Sequence, residues 1–194
     1  MLLPRLLATV MLAAAAVHSA NADMIAHPQV ALTTSEGRIV IELDAKRAPL
    51  TAERFVGLVR QGYYDGLIFH RVVRNFVIQA GGYDTKYESE ETDEGLPNES
   101  GNGLSNLRGT VAMARTSDPH SAGAQFFINI ANNTMLNPDI QRQRWGYAVF
   151  GRVIEGMDIV DTISSLPTGP GGPFKKEVPA LPVIIEKATV ITDE

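Results

Sequence analysis

Little of this chain is patterned for long helices. Its apolar residues come mostly in short β-branched and aromatic runs, each closed by glycine, proline, asparagine or charged residues. "VALTTSEGRIVIEL" (Val30–Leu43) alternates in period two around Ser35-Glu36-Gly37, the pattern of a hairpin. "IFHRVV" and "FVIQA" (Ile68–Val73 and Phe76–Ala80) make a second pair, with Arg74 and Asn75 as the turn between them. Further strands are expected at Gly109–Ala114, Ala124–Ile130, Tyr147–Val153 and Pro182–Ile191. Two segments switch to helical spacing. In Pro49–Gln61, Ala52, Phe55, Val56 and Val59 fall at i, i+3, i+4 and i+7, with Pro49 suited to the first turn and Gly62 to the stop. Met157–Ser164 is a shorter helix. Many short strands with local connections, plus two helices, require an antiparallel barrel or sandwich, and the pattern alone fits either. Gly82–Asn106 and Ala131–Gly146 are long polar excursions, and "GPGGP" (Gly169–Pro173) reads as an irregular connector. There is no internal repeat and no linker, so residues 28–193 form one domain.

The first 22 residues have a different character. Arg5 precedes an apolar run from Leu6 to Val17 and then the small-residue tripeptide Ala20-Asn21-Ala22. This is the layout of a cleaved secretory signal peptide, residues 1–22, and the run is too short to span a bilayer comfortably. The expected location is therefore periplasmic, with no membrane attachment after cleavage. The chain carries a net charge of −5 and no long run of Lys or Arg, so no nucleic-acid partner is expected. It has no cysteine, so disulfides, thiolate metal sites and a thiol nucleophile are all excluded, and stability must come from packing.

Most chemistry-bearing patterns are missing. Beyond the leader the histidines are His27, His70 and His120, and no two stand at ligand spacing, so no metal site is expected. No G-x-S-x-G elbow or phosphate-binding glycine loop occurs. Asn98-Glu99-Ser100 and Asn132-Asn133-Thr134 match the glycosylation pattern, which is common by chance. What stands out is polar residues in apolar company: Arg71 and Gln79 within "FHRVVRNFVIQAGG". Together with "GTVAMAR", "SAGAQFFINIANNTMLN" and "YAVFGRVIEGMDIVD", in that order, this stretch resembles the cyclophilin-type peptidyl-prolyl cis-trans isomerases. The likeness extends over the whole of residues 28–193 and is greatest to the exported bacterial branch.

The resemblance implies a mainly β fold, a closed eight-stranded antiparallel barrel capped by two α-helices, with a substrate groove on its outer face. It implies that Arg71 is catalytic. It places Phe76, Met113, Phe127 and Leu136 in an apolar pocket for proline, and Val77 at a further groove position. Gln79 would hold the substrate backbone and steady the arginine, while Ala114 and Gln125 would bind backbone. Arg115, Met135 and Tyr147 fall on groove positions where eukaryotic relatives have asparagine, a cyclosporin-binding tryptophan and histidine; weak inhibition by cyclosporin follows. His70 is structural and Arg74 is surface. The implied activity needs no metal or cofactor, because no bond breaks. The barrier to rotation about a peptide bond is about 18–20 kcal/mol, and before proline the two isomers differ by only about 0.5–1 kcal/mol. The implied partners are proline-containing segments of unfolded or folding exported proteins, and the protein acts as a monomer. Two other readings are a cyclophilin-like module that binds proline segments without turnover, and a small-ligand barrel with an open apolar interior.

Overall fold

A computed structural model describes residues 27–90, 92 and 95–191. The expected signal segment, residues 1–22, lies outside them. In chain order the elements are β1 (Gln29–Thr34), β2 (Gly37–Leu43), α1 (Pro49–Arg60), β3 (Arg71–Val73), β4 (Val77–Ala80), β5 (Thr110–Met113) and β6 (Phe126–Asn129), followed by a 3-10 turn at Thr134–Leu136. Then come β7 (Val149–Glu155), α2 (Met157–Ser165), β8 (Thr168–Gly171), β9 (Phe174–Pro179) and β10 (Ile185–Ile191). Eight strands form one antiparallel sheet in the order β10-β1-β2-β7-β5-β6-β4-β3, and β8 and β9 form a separate hairpin.

The sheet has two faces because side chains alternate along each strand. Inward residues lie opposite one another across strands: Val72 with Ile78, Ile78 with Ile128, and Ile128 with Val111. Leu32, Ile41, Ile78, Val111, Phe126 and Ile128 are all 0% exposed, so the interior is filled with side chains. That leaves a small-ligand barrel no space to work with. Helix α1 closes one end. Its Phe55 is fully buried against Tyr64, Phe126 and Phe150 at ring-centroid distances of 5.1, 5.3 and 5.1 Å, and burying such a ring contributes roughly 1.5–3 kcal/mol. Ala48 at the start of α1 offers no side-chain cap. Glu99 supplies it from a distant loop, accepting from the Leu50 and Thr51 amides at 3.1 and 2.9 Å, where its charge also suits the helix dipole. Helix α2 begins after Gly156, whose φ of +80° and tight approach to the Arg38 carbonyl admit no side chain.

Two expectations are corrected. The sheet does not close into a continuous barrel. The edge strands β3 and β10 are joined only near their starts, by one bridge between Ile68 and Ile184 and by backbone bonds such as Phe69 N–H to Val183 O at 2.9 Å. The cause is local. β3 runs for three residues, and the residues that reach toward β10 precede it. Further along, β10 meets a side chain in place of a strand: Asp65 accepts from the Ala188 amide at 2.9 Å and pairs with Lys187 at 2.6 Å. The second correction concerns Gly169–Pro173, which is the turn region of the β8–β9 hairpin and no irregular connector. Glycine and proline hide the strand pattern there, because ladder bonds and not apolar alternation define that hairpin.

Candidate functional site

The outer face of the sheet carries a row of directly opposed residues. Arg71 on β3 faces Gln79 on β4, Gln79 faces Phe127 on β6, Phe127 faces Ala112 on β5, and Ala112 faces Val149 on β7. Opposed residues in antiparallel strands project to the same side. The row therefore runs from a cation, through an amide, onto an apolar floor. Val77, Ala112, Phe127 and Val149 are buried in that floor, with Phe76, Leu104, Ala114, Leu136 and Tyr147 packed around it. This is a second apolar cluster, separate from the interior core.

Polar contacts hold the cationic end. Arg71 Nε donates to Glu177 Oε2 at 2.8 Å, and Nη1 donates to Gln79 Oε1 at 3.4 Å. Gln79 Nε2 donates in turn to Gln125 Oε1 at 2.9 Å. Gln125 lies over Gly82, where a Cβ would overlap its side chain. A hollow of about 300 Å3 opens beside this chain, lined by Gln79, Ala114, Arg115 and Gln125, with Glu90 and Thr92 on its wall. Lys176 and then Arg71 hold the Glu177 carboxyl below its ordinary titration range, against partial desolvation.

A network of buried asparagines frames the apolar end. Asn129 donates to Asn106 Oδ1 at 3.1 Å and to Thr110 Oγ1 at 3.0 Å. Asn133 donates to Asn129 Oδ1 and to the Phe76 carbonyl, both at 2.8 Å. Asn106 donates to Asn137 Oδ1 and to the Tyr147 carbonyl. Phe76 and Tyr147 sit on irregular backbone, and these amides fix that backbone where strand pairing does not. Tyr147 meets Phe127 edge-on at 5.6 Å, and the Arg115 guanidinium lies 4.7 Å from the Tyr147 ring centroid. Arg115 also donates to the carbonyls of Trp145 and Gly146, tying that loop to β5.

Most of the expected site residues meet here: Arg71, Phe76, Val77, Gln79, Ala114, Arg115, Gln125, Phe127, Leu136 and Tyr147. Two do not join the apolar floor. Met113 pairs with Phe126 and is buried in the interior core, because period-two alternation on β5 sends Ala112 and Ala114 outward and Met113 inward. Met135 is 61% exposed on the 3-10 turn, while its neighbour Leu136 packs inward. The sequence reading missed Glu177 and the asparagine network. Glu177 sits in a Lys-Lys-Glu run that reads as solvated surface, and Asn133 lies inside a motif set aside as a chance match. His70 is 2% exposed between Tyr83 and Phe174 and faces away from the row. A larger hollow, about 590 Å3, lies between the loops at 100–105 and 137–145 and shares Leu104 with the apolar floor. Among the described residues no group of three or more His, Cys, Asp or Glu is placed to hold a metal ion.

Residues 29–190 match the family model described as cyclophilin type peptidyl-prolyl cis-trans isomerase/CLD. The chain is 51% identical over 163 residues to a peptidyl-prolyl cis-trans isomerase of Streptomyces antibioticus, covering 84% of this chain and 98% of that one. It is 47% identical over 162 residues to peptidyl-prolyl cis-trans isomerase B of Escherichia coli, covering 83% and 98%. A cyclophilin-type isomerase of Cryptosporidium parvum, crystallised in the presence of the dipeptide Ala-Pro, superposes with a TM-score of 0.65 at 26% identity, covering 85% of this chain and 99% of that one. On this identity and coverage the chain belongs to the cyclophilin-type peptidyl-prolyl cis-trans isomerases, a family of enzymes.

Proposed function

We propose that this protein accelerates rotation about Xaa-Pro peptide bonds in exported proteins, working as a periplasmic monomer after removal of residues 1–22. The observation that carries the catalytic part is the outer-face row. It sets a charged donor, Arg71, at one end of an apolar floor built on Phe127. A proline ring suits the floor, held by Phe76, Phe127 and Leu136. The chain upstream of that proline would lie along Gln79, Ala114 and Gln125. Family relatives named as isomerases and the Ala-Pro dipeptide used with the Cryptosporidium protein support a proline-containing substrate. The export part rests on the leader-like sequence of residues 1–22, ahead of a family match that starts at Gln29.

The chemistry follows from the amide. Twisting an Xaa-Pro bond breaks its conjugation and returns a lone pair to the proline nitrogen. A guanidinium stays charged and presents fixed donors, so it can stabilise that nitrogen only once the bond is twisted. A charge-assisted hydrogen bond contributes roughly 1.5–3 kcal/mol, which corresponds to about ten- to a hundredfold in rate. The apolar floor, by excluding water, strengthens the interaction. The test is a prolyl isomerisation assay on residues 23–194 with Arg71→Ala beside it, circular dichroism confirming the fold. The expected result is turnover in the parent and a loss of at least about tenfold in the variant. Turnover of the variant equal to the parent's removes Arg71 from the reaction. Binding of proline peptides without turnover in the parent establishes a binding module instead. Peptide mapping of protein recovered from the periplasm tests the export part, which predicts an N-terminus at Asp23.

A further inference from the structure

We infer that Glu177 is a positioning residue for Arg71, a clamp that orients the guanidinium from the side opposite the groove; the inference rests on the isomerase reading above. The two residues are 106 positions apart and meet through the β8–β9 hairpin. Glu177 takes the Nε hydrogen of Arg71, while Gln79 takes one from Nη1. Two contacts on different nitrogens fix both the position and the plane of the guanidinium. Among the described residues Nη2 has no partner, so it remains for a substrate.

Three features separate this contact from an ordinary surface ion pair. First, Glu177 divides its oxygens: Oε2 accepts from Arg71 Nε, and Oε1 meets Lys176 Nζ at 3.0 Å. Its grip on Arg71 is therefore single-point at Nε and leaves the outer edge of the guanidinium open. Second, Glu177 has φ of +69° in the middle of β9. A side chain other than glycine's is disfavoured there, and such strain persists only where the surroundings impose it. Third, the hairpin is anchored. Phe174 stacks on His70 at 5.6 Å and meets Tyr83 edge-on at 5.0 Å, and Val178 is 3% exposed. His70 precedes Arg71 in the chain, so the same hairpin holds the side chains of two successive residues.

The experiment measures kcat and KM separately for the mature protein and for Glu177→Gln, Glu177→Ala and Glu177→Asn, each alone and combined with Arg71→Ala, with thermal melting alongside. Freeing one arginine from a fixed rotamer gives an expected loss of roughly tenfold for Glu177→Ala, in kcat more than in KM. Glu177→Gln, which keeps the shape and loses the charge, retains more activity than Glu177→Ala. Asparagine tolerates the left-handed backbone, so Glu177→Asn melts no lower than the parent and yet turns over more slowly. In the Arg71→Ala background the Glu177 substitutions cost nothing further. A parent-like or faster Glu177→Ala overturns the inference, as does an equal loss in the Arg71→Ala background, which would mark a purely structural hairpin. An inactive parent instead overturns the isomerase reading itself.

Discussion

Burial of His70 makes the stability of this protein depend on pH in a calculable way. The ring is 2% exposed, packed on Phe174 and Tyr83, and Nδ1 has no partner among the described residues. Burial and then the neighbouring Arg71 charge bring its pKa from 6.5 to about 4, against a weaker opposing pull from the Ile68 backbone. The folded state therefore binds fewer protons than the unfolded chain between those two values. Stability is full above the unfolded value, is lost as pH falls through it, and levels off below the folded one. At 1.36 kcal/mol for each unit, the complete loss is about 3 kcal/mol, and about 2 kcal/mol of it falls between about pH 7 and pH 5. The assay is urea unfolding at these two pH values for the parent and for His70→Phe. Phenylalanine keeps an aromatic ring against Phe174 and Tyr83 and removes the unpaired Nδ1, so the variant should unfold at pH 7 with a similar or higher midpoint. Its stability should then change by about 2 kcal/mol less than the parent's between the two pH values. Carboxylates held low by ion pairs, such as Asp161 through Arg108, lose their contribution at lower pH and do so equally in both proteins. Equal pH dependence in parent and variant would refute the reasoning.

Gly82→Ala should lower kcat/KM while leaving the melting temperature near the parent's, because the added methyl displaces the Gln125 side chain that braces Gln79; a kinetic and thermal comparison of the two proteins checks this. Asn129→Ala should destabilise the fold by roughly 1–3 kcal/mol in denaturant unfolding, since it removes the donor to the buried Asn106 Oδ1 and one of the two acceptors of the Asn133 amide. Activity measured well below its melting temperature should fall as well, through the loosened carbonyls of Phe76 and Tyr147. Cyclosporin should inhibit weakly, because Met135 is exposed and the family resemblance sets it at the position of a tryptophan that binds the drug in eukaryotic relatives; a titration with nanomolar inhibition would contradict this.

The strands and both helices are legible in the sequence because they rest on local rules, while the groove residues are legible through the family resemblance. Alternation finds β1, β2, β4 and β6, and helical spacing finds α1 and α2. Alternation also contains the remedy for the one pocket residue that the resemblance misplaced: with Ala112 and Ala114 outward, Met113 has to face the core. Local rules fail where a structure is decided by partners far along the chain. Whether β3 and β10 pair depends on where Asp65 lies relative to Lys187 and Ala188, and neither segment carries that information. The cap of α1 comes from Glu99, about fifty residues on, so Ala48 looks like a helix start with no cap. Glu177 is the extreme case. Its neighbours mark it as surface, its partner strand is masked by glycine and proline, and its aim toward Arg71 depends on a left-handed backbone that no side chain of its type prefers. The residues easiest to read are thus the ones that the resemblance assigns to the substrate and the reaction. Those that hold them in register, Glu177, Gly82 and the asparagines behind Phe76 and Tyr147, become visible only when the chain is folded. A variant that looks neutral by sequence at Glu177 or Gly82 is therefore where activity should be lost without loss of the fold.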